Sequence, residues 1–244
     1  MSTDEERKLV LSPSAAARDS ALAIVKVGAD KTTYTLYRSL LVEHSEYFKK
    51  ALTGTWKEAR EGVVILQDVE CILFEVFIDW LYTQRLPKEI DSSADETGCQ
   101  PAGDSLFLQV KALIFGDRIV SPNFHQAVRD ATINGLIGRG APPYYFSIGY
   151  AFDNLPDDHP ILDLIVEVQC REFSESMDTE DNGEIKGRAA LPNDFLIRVM
   201  IRYSSFKENG WPESVINPCD YHGHVSEEDR EKCPINKKAL KQEV

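Results

Sequence analysis

The chain has 244 residues, 43% of them hydrophobic, enough to bury one large core or two small ones. Its 27 basic residues stand against 40 acidic ones, a formal charge of −13, and that field repels phosphate backbones, so no direct nucleic-acid binding is expected. No apolar run approaches the roughly 20 residues that span a bilayer, and the charged start Met1 to Lys8 lacks a signal peptide's apolar stretch, so no membrane partner is expected either.

Residues 1–18 are polar and then Ala-rich, and are expected to be a disordered N-terminal segment. From Ser20 to Val27 the pattern alternates, with Leu22 and Ile24 on one face and Ala23, Val25 and Val27 on the other. Gly28 to Lys31 supplies a turn, and Thr32 to Leu36 returns as a second strand, giving a β-hairpin. Leu40, His44, Tyr47, Phe48, Ala51 and Leu52 fall at helical spacing, closed by Gly54. Val63 to Leu66 reads as a short buried strand. Asp68 is placed to cap the next helix, whose stripe is Leu73, Val76, Phe77, Trp80 and Leu81.

Residues 87–104, with two prolines and several acids, predict an exposed loop. Helical spacing resumes at Leu106, Val110, Leu113 and Ile114, and after Pro122 at Phe124, Val128, Ala131 and Ile133. Gly138 to Pro143 marks a boundary. Beyond it, one helix begins at Pro160 and another after Pro192, separated by an acidic segment, Ser174 to Gly187, expected to be a mobile loop. From Lys207 the chain is polar and irregular, apart from one cysteine/histidine cluster. The expected organisation is therefore a first domain over 19–137, a helical extension over 138–206 and a polar tail over 207–244.

Four stretches carry a family resemblance. Leu40 to Phe48 is similar to an L-x-x-x-S-x-Y-F helix, and Gly54-Thr55-Trp56-Lys57-Glu58-Ala59 to a G-x-F-K-E-A segment. Phe77-Ile78-Asp79-Trp80-Leu81-Tyr82-Thr83 is similar to an F-x-x-W-L-Y-T helix end, and Leu113 to Arg118 to a V-x-x-L-A-D-K helix. In order and spacing these resemble a BTB/POZ domain, in particular that of fungal single-domain BTB proteins. The family usually has a histidine and a lysine where this chain has Tyr37-Arg38, and an aspartate near the first strand, where Asp19 sits slightly early.

The resemblance implies an α+β fold, a small sheet with clustered helices, followed here by an all-helical C-terminal extension. It also implies a non-catalytic protein-interaction module, a homo-oligomerising adaptor that recruits partners. The first partner is a second copy of the chain, docked through about residues 19–55, where an apolar helix face invites a two-fold interface. Some relatives contact a cullin scaffold of ubiquitin ligases through an apolar-x-Glu segment, which places Trp56 and Glu58 as candidate partner-binding residues. Thr55-x-x-Glu58 equally fits a helix capping box, with Trp56 as core or staple.

Enzyme signatures are absent: no Gly-x-Ser-x-Gly elbow, no His-Glu-x-x-His helix and no phosphate-binding glycine loop. No enzyme is expected, and an unrecognised metal-dependent enzyme is the rival from another class. Asp178 to Ile185 imitates the first half of a calcium loop, but its twelfth position is Ala189 instead of a bidentate Glu, which favours an ordinary acidic loop. The aromatic stretch Tyr144 to Phe152 is read as helix core in preference to a ligand pocket.

Five scattered cysteines (Cys71, Cys99, Cys170, Cys219, Cys233) suit a reducing compartment, and no Asn-x-Ser/Thr acceptor occurs, so an intracellular setting, cytoplasm or nucleus, is expected. In the tail, Cys219, His222, His224 and Cys233 form Cys-x2-His-x-His-x8-Cys. Two thiolates and two imidazoles are a donor set that tetrahedral zinc accepts, which makes these four a candidate structural zinc site and zinc the one expected cofactor. The alternative is a polar tail that happens to hold both residue types.

Overall fold

The alternating segment Leu22–Val27 becomes β1, the middle strand of a three-stranded sheet, in the computed structural model, which describes residues 13–19, 21–87, 105–180, 183–212, 215–224 and 226–233. The expectations for residues 1–12, for 88–104 of the acidic loop and for the last eleven residues of the tail lie outside the described residues. Contacts divide the chain into two units. One holds residues 13–87 and 115–127, the other 105–114 and the described part of 128–233. This differs from a division at 137/138, because two long helices each give residues to both units.

In the first unit, β2 (Thr32–Tyr37) runs antiparallel to β1, pairing Leu22 with Tyr37 and Val27 with Thr32. On the other side, β3 (Val63–Leu66) runs parallel to β1, pairing Ile24 with Val63 and Val27 with Leu66. A parallel pair needs a crossover, and here the chain leaves β1 through β2 and returns through α2 (Arg38–His44), α3 (Glu46–Thr53) and α4 (Lys57–Glu61). The face carrying Ala23, Val25, Val27, Val64 and Leu66 is buried, as the alternation predicts. Leu22 and Ile65, on the opposite face, are exposed.

The single helix expected over 40–52 is two, because Ser45 is extended between them. Its hydroxyl accepts from the Phe48 N–H at 3.1 Å, capping α3, and donates to the Ile119 carbonyl at 2.6 Å. Ser121 returns the contact by donating to the His44 carbonyl at 2.6 Å. Arg38, where the family usually has another residue pair, donates its guanidinium to the Leu52 carbonyl at the end of α3. The disordered lead-in is also corrected for residues 13–19: Pro13–Asp19 is a helix, α1, with Ala16 buried. Proline in the first turn followed by three alanines is strongly helix-forming.

Helix α5 (Cys71–Thr83) fills the core of this unit. Its Phe77 ring lies 6.3 Å from Phe48, 6.1 Å from Phe74, 6.0 Å from Trp80, 6.0 Å from Phe115 and 5.2 Å from Phe124, centroid to centroid. Phe115 belongs to the end of α6 (Ser105–Arg118) and Phe124 to the start of α7 (Pro122–Gly138). Asp68 does not cap α5. The cap position is Glu70, without a side-chain bond, and Asp68 instead accepts from the Arg118 guanidinium at 2.6 Å, which holds its carboxyl below the usual range.

The second unit is helical: residues 105–114 of α6, 128–138 of α7, then α8 (Tyr145–Asn154), α9 (Pro160–Glu172), α10 (Glu184–Gly187), α11 (Asn193–Asn209) and α12 (Glu227–Lys232). Its axis is α9, buried from Ile161 to Cys170 apart from Asp163. Within that apolar helix Glu167 is almost fully buried, and Arg171 meets its carboxylate at 2.5 Å while Arg202 of α11 holds the other oxygen. Burying a carboxylate requires such pairing.

The packing of α5 yields a direct expectation. Phe77→Ala removes the ring on which the first unit's aromatic side chains converge, and should lower stability by about 3–5 kcal/mol, measured as a shift in the urea midpoint. A loss below about 1 kcal/mol would place the weight of the core elsewhere.

Candidate functional site

The polar tail contains regular structure once side chains supply the caps. Asn217 accepts from the Cys219 N–H at 3.0 Å and starts a short 3-10 turn, Pro218–Tyr221. Ser226 accepts from the Asp229 N–H at 3.2 Å and starts α12, whose first turn carries Glu227, Glu228 and Asp229. Acids there match the positive end of the helix. Between the two, Gly223 takes φ +65°, a left-handed conformation that suits glycine, and so lets His222 and His224 turn to a common centre. An Arg230–Asp220 ion pair ties the helix to the turn.

The result brings together all four residues expected from the sequence. Ligand atoms of Cys219, His222, His224 and Cys233 lie within 4.8 Å of one another. Cys219 Sγ is 3.0 Å from His224 Nε2, and Cys233 Sγ is 3.5 Å from His222 Nδ1. Tetrahedral zinc, with bonds of about 2.3 Å to sulfur and 2.0–2.1 Å to nitrogen, sets such donors roughly 3.3–3.8 Å apart, so the cluster is compatible with zinc. Burial, then the neighbouring Cys233, pushes the Cys219 thiol up to about 11, and burial lowers His222, favouring its neutral, metal-binding form.

Trp56 and Glu58 lie in the crossover between β1 and β3. The capping-box alternative is not what forms: α4 begins at Lys57, its cap is Trp56 and not Thr55, and no side chain closes the cap. Trp56 is also no core residue, being 68% exposed. Its ring folds back over Gly54, where an added Cβ would stand 2.8 Å from Trp56 Cδ1 and also 2.8 Å from the Lys50 carbonyl oxygen, and the backbone contact is what keeps position 54 bare. Glu58 is exposed in the first turn of α4. An exposed indole at the cap and an exposed carboxylate in the first turn thus mark the start of one short helix.

The antiparallel hairpin, the parallel third strand reached through a helical crossover, and α5 packed behind them occupy one continuous stretch of chain. Residues 19–99 match the BTB/POZ domain family. The BTB/POZ domain is a non-catalytic protein–protein interaction module. The matched stretch contains Trp56 and Glu58, stops before α6, and leaves the Cys/His cluster outside. Of the self-association face expected over 19–55, the helical stripe is not available on the surface of this BTB/POZ domain. Leu40, Leu41, Phe48 and Leu52 are fully buried inside one copy, so the helical stripe is spent on the core, and the outer sheet face is what remains open.

Outside the BTB/POZ match, the expected mobile loop Ser174 to Gly187 is tethered where it is described. Asp178 accepts from the Tyr145 hydroxyl at 2.8 Å and from Arg188 at 2.6 Å, and Glu184 accepts from the Tyr145 N–H at 2.9 Å, capping α8 from a distance. Burial and the Asp178 bond raise the Tyr145 hydroxyl to about 12. Two carboxylates of the imitation calcium loop are therefore engaged by protein donors, while Asp181 and Asn182 lie outside the described residues.

Of the aromatic stretch, Tyr145, Ile148 and Ala151 are core, and Phe146 and Tyr150 pack on Phe107. Sequence reasoning missed one surface feature: Leu196, Ile197, Met200 and Ile201 form an exposed apolar strip on α11. Its i, i+1, i+4, i+5 spacing was readable, but which face of the helix would be outward was not.

Proposed function

We propose that this chain is a non-catalytic adaptor that self-associates through its BTB/POZ domain and recruits other proteins, with a C-terminal helical unit closed by a structural zinc site. The observation that carries the reading is the outer face of the sheet. Leu22 and Ile65 are 55% and 52% exposed, with half-buried Ile24 and Val63 paired between them and Lys26 paired with Ile65, an apolar patch edged by one lysine on a domain of an interaction family. A second copy covers such a face by two-fold symmetry.

Four protein donors complete a tetrahedral ion and leave no open position for water, so the tail cluster supports a structural metal and not an enzyme's. Cys71, Cys170, Cys219 and Cys233 are not disulfide-bonded, which supports an intracellular setting, cytoplasm or nucleus. No helix among the described residues is long and apolar enough to cross a membrane.

A second reading, an adaptor for a cullin-type ubiquitin ligase, is favoured by the exposure of Trp56 next to Glu58. Neither residue supports the core, so Trp56→Ala and Glu58→Ala should each leave stability within about 0.5 kcal/mol. Binding to a purified cullin N-terminal domain should fall in both; no binding by the unmodified chain removes this reading alone.

Self-association is tested by light scattering at about tens of micromolar, a range that populates a dimer of ordinary affinity. The unmodified chain should run as a dimer, and Leu22→Asp/Ile65→Asp as a folded monomer. A monomer in both cases refutes the interface.

The metal is tested by elemental analysis of the purified chain, with about one zinc per chain expected from the four-donor rule. Chelation should open the tail to protease while the BTB/POZ domain stays folded, since metal binding there is local folding energy. No zinc, or unchanged tail cleavage in Cys219→Ser/Cys233→Ser, counts against the site.

A further inference from the structure

We propose that Asp130, on α7, is the positioning residue for His222, orienting its ring for the metal and fastening the tail cluster to the helical unit. This inference rests on the zinc reading of the cluster. His222 is 6% exposed and its two ring nitrogens face different partners. Nδ1 looks into the cluster, 3.5 Å from Cys233 Sγ. Nε2 looks out of it, 3.9 Å from Asp130 Oδ1. Both Nε2 and Oδ1 are buried atoms without a hydrogen-bond partner among the described residues.

Two buried polar atoms 3.9 Å apart, neither with a hydrogen bond among the described residues, are a costly arrangement unless they are partners. The gap exceeds a hydrogen bond by about 1 Å, within reach of a small rotation of the Asp130 carboxylate. A neutral imidazole that binds a metal through Nδ1 carries its proton on Nε2, and so has a donor to offer. A carboxylate is a common acceptor for that proton, and it fixes both the tautomer and the ring plane.

His224 turns the other way round, with Nε2 toward Cys219 Sγ at 3.0 Å. The two histidines of the closely spaced His-x-His therefore present different nitrogens, which lets neighbours only two residues apart serve one ion. The surroundings place the tail against α7 at the same point. An added Cβ on Gly223 would stand 3.4 Å from Arg129 Nη1, so the side chain of Asp130's neighbour on α7 reaches the loop that joins the two histidines.

The test uses the full chain, stripped of metal, and Co²⁺ alone as the probe, followed by zinc competition against a chelator of known affinity. The unmodified chain should develop the visible and near-ultraviolet bands of a tetrahedral two-sulfur, two-nitrogen cobalt site. Asp130→Asn should give the same bands, because all four ligands remain, with metal affinity lower by about 10–100-fold, the usual effect of losing an outer partner. The metal-free melting temperature should not change.

Unaltered affinity in Asp130→Asn would overturn the assignment while leaving the zinc site standing. A fall in metal-free stability matching the loss of affinity would overturn it too, by making Asp130 a residue of the fold only. Absence of cobalt bands in the unmodified chain would overturn the site itself, and the inference with it.

Discussion

The convergence of aromatic rings on Phe77 is the contact on which the first unit depends. Phe48 comes from α3, Phe74 and Trp80 from Phe77's own helix, Phe115 from the end of α6 and Phe124 from the start of α7. A three-stranded sheet with one strand of only four residues has little surface of its own to bury. The rings supply that surface, and their offset and edge-on arrangements bring specificity of packing as well as area. Ser45 and Ser121 add polar contacts at the same junction, each satisfying a carbonyl of the other segment.

The second unit is organised by a different economy, that of charge. A chain with a formal charge of −13 has few cations to spare, yet two arginines, Arg171 and Arg202, converge on one buried carboxylate, Glu167. Arg198 and Arg188 likewise serve Asp163 and Asp178. Cations are thus concentrated where carboxylates meet the helices. In the tail the same role of joining short pieces falls to sulfur and imidazole, since among the described residues no large apolar side chain is buried after Phe206.

How much was legible follows from how local each signal is. The hairpin, β3 and the α5 stripe were readable because period-two and period-3.6 patterns are properties of contiguous residues. The Cys/His cluster was readable from donor chemistry alone. The break at Ser45 was not, because its partner, the Ile119 carbonyl, lies on a segment far along the chain. Asp68 reads as a cap until Arg118 is seen beside it, and the acidic stretch after Ser174 reads as solvated until Tyr145 and Arg188 appear. Asp130 carries no sequence signal toward His222 at all. Competition for side-chain hydrogen bonds is settled by tertiary neighbours, and those are what a linear pattern omits.

The family match ends at residue 99, but the first unit does not. Phe115, Phe124 and the 119–121 turn arrive from beyond that limit, and Phe77, Ser45 and His44 all lean on them. The matched segment is therefore shorter than the set of residues that surrounds Phe77. On the ribosome, the sheet and α5 would emerge with their central ring half-surrounded, and would have to wait for some forty further residues before the core could close.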